Sequence, residues 1–190
     1  MMRLHRMNAR RDTAGLAPAR KQSGLTMIEL GAGLVILAIV TAAVAPAVFK
    51  NIQTAEAVTE GKDAITLMKN MHSLKRKPPY SGISNAWAIS TKAVNPSKIN
   101  GSSLVNQWGA SITVARATLG GGAANYALEI KNAIPIAGCL VYVSTVAPMV
   151  DEVFVGSTKV KAVGASLNDS KAATACNRTS ATIVVTIRDA

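Results

Sequence analysis

Charged residues are scarce in this 190-residue chain. They make up 16% of it, and the 10 acidic residues are outnumbered by 21 basic ones. Hydrophobic residues reach 49%, whereas a disordered chain typically combines low hydrophobicity with high charge. The composition therefore argues against a disordered protein and is typical of a weakly charged globular domain with an anchoring segment.

Histidine and cysteine are rare as well, with two of each. His5 and His72 stand far apart in the sequence and form neither a zinc motif nor a catalytic triad. The chain also lacks a Gly-x-Ser-x-Gly motif and a phosphate-binding Walker loop. We therefore expect no enzymatic activity, no cofactor and no metal site.

The positive charge is divided unevenly along the chain. Residues 1–24 hold six basic residues against Asp12, so they carry +5 of the total net charge of +11. Residues 30–49 contain no charge, and these twenty residues, at about 1.5 Å each, would cross a bilayer of about 30 Å. Because a basic flank stays cytoplasmic, the residues after 49 are predicted to lie outside the cytoplasm. Nearly half of the net positive charge thus lies in the leader. There it indicates the orientation of the chain in the membrane rather than a nucleic-acid partner.

The junction KQSGLTMIEL places the basic leader before the apolar run. An ordinary secretory signal has its apolar region before the cleavage site, whereas a cut after Gly24 would leave the apolar run on the mature chain, with Leu25 first. The alternative is an uncleaved signal-anchor in which Gly24-Leu25 is fortuitous. Glu29 stands at the threshold of the run, where a carboxylate is costly unless it is paired or lies among the lipid headgroups.

These residues resemble those of a type IV pilin precursor. The family pattern is a basic leader, a glycine before the cut, an apolar helix and glutamate as the fifth mature residue, and Gly24 and Glu29 fit it. The resemblance implies cleavage by a prepilin peptidase between Gly24 and Leu25, N-methylation of Leu25, and pairing of its amine with Glu29 of a neighbouring subunit. It also implies a helix kink at Pro46. The long leader and the mature start at leucine resemble the type IVb subclass.

One helix is predicted from about residue 26 to residue 74, ending before Lys77-Pro78-Pro79 because proline disfavours helix in the preceding residue. Beyond residue 49 its apolar positions recur at three- and four-residue steps. The predicted face comprises Ile52, Ala55, Val58, Ile65, Met68, Met71 or His72, and Leu74 or Lys75. The charged residues predicted on other faces are Lys50, Glu56, Glu60, Lys62, Asp63 and Lys69. Lys75-Arg76-Lys77 is interpreted as a solvated helix end, with contact to DNA or an anionic surface as the alternative.

Residues 78–190 are predicted to form a mixed head, so the fold class is α+β: a long N-terminal helix packed on a small antiparallel sheet. Residues 80–101 are predicted to be rich in loops, with Trp87 and Ile89 packing on the helix. Hairpins are predicted at 110–117 with 125–131 and at 153–155 with 159–161, and a final strand at 181–188. Residues 135–147 favour a helix over a strand, since their apolar positions share one helical face.

Cys139 and Cys176 are the two cysteines of the chain, and both are predicted to lie outside the cytoplasm. An even number of cysteines in such a region indicates a disulfide. Closing the loop of about 38 residues would contribute about 3–4 kcal/mol in the chain-entropy model. Two free thiols are the alternative. The bridge is expected to hold the last strand against the 135–147 element, and the resemblance implies that residues 139–176 form the variable surface region of the pilin.

The sequence thus predicts four segments: a cleaved leader (1–24), an apolar helical half (25–49), an amphipathic helical half (50–77) and a head (78–190). The resemblance implies a pilus subunit that starts in the bacterial inner membrane with its head in the periplasm and ends in an extracellular filament. Its expected partners are further copies of itself, the prepilin peptidase and the inner-membrane assembly machinery, and no nucleic acid. The alternatives are a pseudopilin of a type II secretion system and a single-pass anchored periplasmic binding domain.

Overall fold

The structure, a computed structural model, describes residues 27–120, 122–178 and 180–190. The chain divides into two units, Met1–Ala43 and Val44–Ala190. In the first unit the described part is helical from residue 27 onward. In the second unit a sheet and several helices share one hydrophobic core.

Helix α1 spans Met27–Leu74 and ends at the predicted residue. Its buried face in the second unit consists of small and flexible residues: Ala57, Gly61, Ala64, Leu67, Met68 and Met71. The predicted face was therefore wrong in part, because Ile52 and Ala55 are exposed while Val58 and Ile65 are only half-buried. Glu60 was predicted on another face but is 1% exposed. Small side chains let neighbouring elements approach the helix closely, so residue size, rather than hydrophobicity alone, selects this face.

Seven strands form one antiparallel sheet in the order β1-β2-β3-β4-β7-β5-β6. The strands are β1 (Ile99–Asn100), β2 (Ser103–Val105), β3 (Ser111–Ala117), β4 (Ala127–Pro135), β5 (Glu152–Val155), β6 (Thr158–Lys161) and β7 (Thr182–Asp189). The central strands β4 and β7 align Ile130 with Ile187 and Ile134 with Ile183. Because side chains alternate along a strand, these residues lie on the same face of the sheet and form the middle of the core.

Three shorter helices complete the head: α2 (Asn85–Ser90), α3 (Ile136–Val146) and α4 (Asp169–Cys176). The side chain of Ser84 caps α2 by accepting from the Trp87 backbone amide, and Asn168 caps α4 by accepting from that of Lys171. Short 3-10 segments occupy Pro96–Lys98 and Ala147–Met149.

The structure confirms the α+β class, the two hairpins, the final strand and the helix predicted near residues 135–147. Helices α2 and α4 were not predicted from the sequence. Both helices are short, six and eight residues, and helices of this length show little periodicity and depend on tertiary packing for their stability.

Candidate assembly site

The N-terminal part of α1 exposes a continuous apolar surface. Its large apolar side chains from residue 30 to residue 49 are about half to two-thirds exposed: Leu30, Leu34, Val35, Ile36, Leu37, Ile39, Val40, Val44, Val48 and Phe49. Among the described residues this is the one helix long and apolar enough to cross a membrane. An apolar surface of this extent is stable only when lipid or other protein covers it.

Several predicted site residues lie where the structure gives no side-chain information. Gly24 and Leu25 are outside the described residues. Glu29 and Pro46 lie within α1, but their side chains are also outside the described part. The cleavage site, the methylated terminus, the Glu29 pairing and the kink at Pro46 therefore stay predictions.

Where α1 meets the head, Glu60 is the centre of a buried polar network. Its Oε2 accepts from Lys98 Nζ at 2.5 Å and from the Gln107 backbone amide at 3.3 Å, and its Oε1 accepts from Asn132 Nδ2 at 2.9 Å. Lys98 Nζ also lies 3.1 Å from Oδ2 of Asp63, one turn further along α1. Since a buried carboxylate is tolerated only when paired and hydrogen-bonded, this network fixes the segment from 98 to 107 on the helix.

The network continues into the sheet through Asn106 and Asn132. Asn106 Nδ2 donates to Asn132 Oδ1 at 2.8 Å, and Asn106 Oδ1 accepts from the backbone amides of Trp108 and Ala110. Trp108 Nε1 in turn donates to Glu56 Oε2 at 2.6 Å. These bonds connect α1, the β2–β3 turn and β4, so the helix cannot rotate or slide on the head without breaking several of them.

Burial and neighbouring charges raise the pKa of two side chains at this interface, Lys98 and Tyr142. Burial by itself lowers the pKa of Lys98, but the hydrogen bonds and negative charges of Glu60 and Asp63 outweigh it and raise that pKa above its ordinary value. Burial also raises the pKa of the Tyr142 hydroxyl. This hydroxyl has no hydrogen bond of good geometry among the residues that the structure describes. Lys98 is therefore charged, and Tyr142 neutral, throughout the physiological pH range.

Helix α3 crosses α1 at two glycines. A Cβ on Gly138 would lie 2.8 Å from Cβ of Ala57 and 3.1 Å from the Gln53 carbonyl oxygen. A Cβ on Gly61 would lie 2.9 Å from Cγ2 of Thr145. The close approach leaves no room for even a methyl group at Gly138, because the neighbouring atom of Gln53 is backbone and cannot turn aside.

The predicted disulfide between Cys139 and Cys176 is present, with the two Cα atoms 5.7 Å apart. It joins α3 to the end of α4. Cys176 is the last residue of α4, six residues before β7 begins at Thr182, and the backbone amide of Ile136 at the start of α3 donates to the Ala181 carbonyl oxygen, just before β7. The bridge closes the segment that contains the β5–β6 hairpin and α4.

A second charged cluster lies on the face of the sheet opposite to Ile130 and Ile187. Arg188 Nε donates to Glu129 Oε2 at 2.7 Å, and Lys159 Nζ donates to Glu152 Oε1 at 2.5 Å. The backbone amide of Gly120 also donates to Glu152 Oε1, at 3.3 Å. This cluster attaches the first part of the β3–β4 connection to the sheet and neutralises two buried carboxylates.

The buried polar network of Glu60, Lys98, Asn106 and Asn132 was not predicted from the sequence. Glu60 follows Ala57 by three residues and precedes Ala64 by four, so its position on the small-residue face was a usable signal. No local pattern marks Lys98, because its contact with Glu60 joins residues 38 positions apart. Among the described residues no cluster of three or more histidine, cysteine, aspartate or glutamate side chains could hold a metal ion.

The long helix on an antiparallel sheet, with a disulfide-closed C-terminal segment, is the type IV pilin fold. Two solved structures are similar to this chain. The type IVb pilin from Salmonella typhi is 19% identical, with a TM-score of 0.54 over 68% of this chain and 96% of that chain. TcpA, a type IV pilin from the El Tor biotype of Vibrio cholerae, is 16% identical, with a TM-score of 0.50 over 73% of this chain and 99% of that chain.

At these low sequence identities, the structural similarity establishes the fold alone. A match to a sequence family provides further evidence. The family described as PilS N terminal matches residues 54–188, which is more than half of the chain. The chain belongs to this family and has the fold of a type IVb pilin. No curated protein matches its sequence.

Proposed function

We propose that this pilin is made as a precursor, is cut between Gly24 and Leu25, and polymerises through α1 into a surface filament. The observation that carries the proposal is that the large apolar side chains of residues 30–49 are exposed, while the head has a hydrophobic core of its own. Lipid would cover this surface before assembly, and the same surface of neighbouring copies would cover it afterwards. The apolar helix then serves first as an anchor and later as the core of a filament.

Membrane topology and processing follow from the charge distribution. The leader of residues 1–24 carries +5, so it would remain cytoplasmic, where a prepilin peptidase of the inner membrane would remove it. The head would fold in the periplasm, an oxidising compartment in which the Cys139–Cys176 disulfide forms and persists. Extraction of the cleaved subunit by the assembly machinery would place the head on the outside of the cell.

Glu29 would supply the register of assembly. In the mature chain it is the fifth residue, and the amine created at Leu25 would be the cation that neutralises the Glu29 carboxylate of the next subunit. Loss of one partner of a buried pair costs about 3–5 kcal/mol, which is a hundredfold or more in an association equilibrium. Glu29→Gln is therefore expected to be processed, to stay in the membrane and to give few or no filaments.

Two measurements test this proposal. Mass spectrometry of the mature protein is expected to identify Leu25, carrying a methyl group on its amine, as the first residue. Electron microscopy is expected to show filaments for the wild type and for Asp169→Asn, a control that removes an exposed carboxylate of the head, but not for Glu29→Gln. A mature protein that begins at Met1 would refute processing, and normal filaments from Glu29→Gln would remove the charge pair from the mechanism.

A further inference from the structure

A cavity of about 70 Å³ lies between α1, the connection that leads into β1, and the sheet. Its apolar walls are buried and consist of Ala64, Leu67, Val94, Ile112 and Ile130. Its rim is polar and consists of Asp63, Thr66, Asn70 and Asn95. Because Thr66 and Asn95 are exposed, the cavity opens to the solution and can be entered without unfolding of the head.

The size of the cavity limits its occupant to a small group. A site for one water molecule needs about 10–15 Å³ of such space, so 70 Å³ accommodates a chain of about five non-hydrogen atoms. A sugar ring or a nucleobase is larger than this. The apolar walls favour a hydrocarbon chain, since most of its surface would leave water on binding.

The charged side chains beside the cavity do not balance one another. Nζ of Lys98 lies 2.5 Å from Oε2 of Glu60 and 3.1 Å from Oδ2 of Asp63. In the part of the chain that the structure describes, Lys98 is the one cation within 4 Å of either carboxylate. Two carboxylates thus share one ammonium group, and the cavity carries a surplus of one negative charge.

The surplus charge is accessible at Asp63. The Glu60 side chain is 1% exposed and already accepts three hydrogen bonds. The Asp63 side chain is 37% exposed and lies at the rim of the cavity. A molecule that enters the cavity therefore meets the Asp63 carboxylate first.

We propose that this cavity binds a primary alkylammonium group, with the ammonium on the Asp63 carboxylate and the carbon chain against the apolar walls. An ammonium group donates charge-assisted hydrogen bonds to a carboxylate and neutralises the surplus charge, whereas an anion would add to it. A divalent metal ion suits the site less well, because it needs several oxygen ligands and apolar walls offer none.

Two sources supply this chemical group. One is a short free amine, and the other is a lysine side chain of a second copy of this chain, whose stem has four carbons. In both cases the cavity recognises a cation at the end of a hydrocarbon chain. The proposal depends on neither the processing nor the polymerisation of the subunit.

The test measures ligand binding to the full chain in a non-ionic detergent at constant ionic strength. The probes are n-butylammonium, n-butanol and propionate, which match one another in size and differ in charge. NMR titrations of the backbone amides give the dissociation constants and locate the site. We expect n-butylammonium to bind at least tenfold more tightly than the other two probes, with the largest shifts at Asp63, Leu67 and Val94. Equal or tighter binding of n-butanol or propionate would overturn the proposal, as would the absence of shifts at these residues.

Asp63→Asn removes the surplus charge and keeps the shape of the side chain. It is expected to weaken n-butylammonium at least tenfold, because the ammonium loses a charge-assisted hydrogen bond. It is expected to leave n-butanol within twofold, which would show that the cavity is intact. The control Asp169→Asn, which changes an exposed carboxylate of α4, is expected to leave both within twofold. Unchanged affinity of Asp63→Asn for n-butylammonium would contradict the assignment.

A fourth probe distinguishes the two sources of the group. Lysine acetylated on its α-amine and amidated at its carboxyl group carries the same alkylammonium chain on a piece of polypeptide backbone. Binding within tenfold of n-butylammonium would support the proposal with a lysine of a second copy as the occupant. Weaker binding than that would support it with a free amine as the occupant, because the rim would then exclude a polypeptide backbone.

Discussion

Lys98→Met removes the cation from the most deeply buried ion pair of the head. The Glu60 side chain is 1% exposed and that of Lys98 is 10% exposed, with 2.5 Å between Nζ and Oε2. Methionine reproduces most of the lysine stem but cannot donate a hydrogen bond. Glu60 would then keep only the Asn132 amide and the Gln107 backbone amide as donors.

The expected cost follows from these contacts. Removing one partner of a buried pair destabilises a protein by about 3–5 kcal/mol, and the two remaining neutral donors place Lys98→Met near the lower end, at about 3 kcal/mol. For a domain of this size, 1 kcal/mol lowers Tm by about 2–4 °C, so we expect a decrease of about 6–12 °C. Lys92→Met, which alters an exposed lysine, is the matched control and is expected to change Tm by less than about 2 °C.

The pH dependence provides a second readout. Although burial lowers the pKa of Lys98, its two carboxylate neighbours raise it overall. A raised lysine pKa means that the stabilisation is complete below the unfolded value of about 10.4 and is lost as pH rises through the folded value. The stability difference between the wild type and Lys98→Met is therefore expected to be constant from about pH 6 to pH 9 and to shrink above about pH 10.4.

Thermal unfolding of the full-length protein in detergent, followed by the fluorescence of Trp87 and Trp108, measures both effects. The double variant Glu60→Gln/Lys98→Met removes both charges and is expected to be more stable than Lys98→Met alone, which a double-mutant cycle would show as a coupling energy. A decrease in Tm of less than about 2 °C for Lys98→Met would refute the conclusion that the Glu60–Lys98 ion pair stabilises the head. Strict additivity of the two single changes would do the same.

Three further predictions concern the packing of the head. Cys139→Ser is expected to lower the free energy of unfolding by about 3–4 kcal/mol, measured by denaturant titration, and to leave membrane insertion unchanged; equal stability of the oxidised and reduced wild type would contradict it. Gly138→Ala is expected to cost about 1–3 kcal/mol, because its Cβ would lie 2.8 Å from Ala57 Cβ, whereas the exposed Ser144→Ala on the same helix should cost less than about 0.5 kcal/mol. Tyr142→Phe is expected to leave stability unchanged or to raise it by up to about 1 kcal/mol, since it removes a buried hydroxyl without a well-formed hydrogen bond; a loss above 1 kcal/mol would reveal a bond to the neighbouring Asn132.

Much of the architecture followed from local patterns. The end of α1 is marked by prolines, the two hairpins by alternation around glycines, and the last strand by a run of β-branched residues. The buried face of α1 was predicted less well, since Ile52 is exposed whereas Glu60 is buried. Hydrophobic periodicity gives the preference of each residue for burial, but it contains no information about which elements approach the helix or how closely.

The sequence by itself determined the properties that depend on a single continuous segment. The apolar run of residues 30–49, the basic leader and the placement of Gly24 and Glu29 are linear features, so the sequence alone justified predicting an anchored, processed subunit. The fold class is also local in origin, because each main element has its own periodicity.

Only the tertiary structure decided which distant residues meet. The insertion of β7 between β4 and β5, the burial of Glu60 beside Lys98, and the crossing of α3 at Ala57 all join residues far apart in the chain. The physical reason is that pairing and burial are properties of three-dimensional proximity, whereas a sequence states only which residues are available to pair.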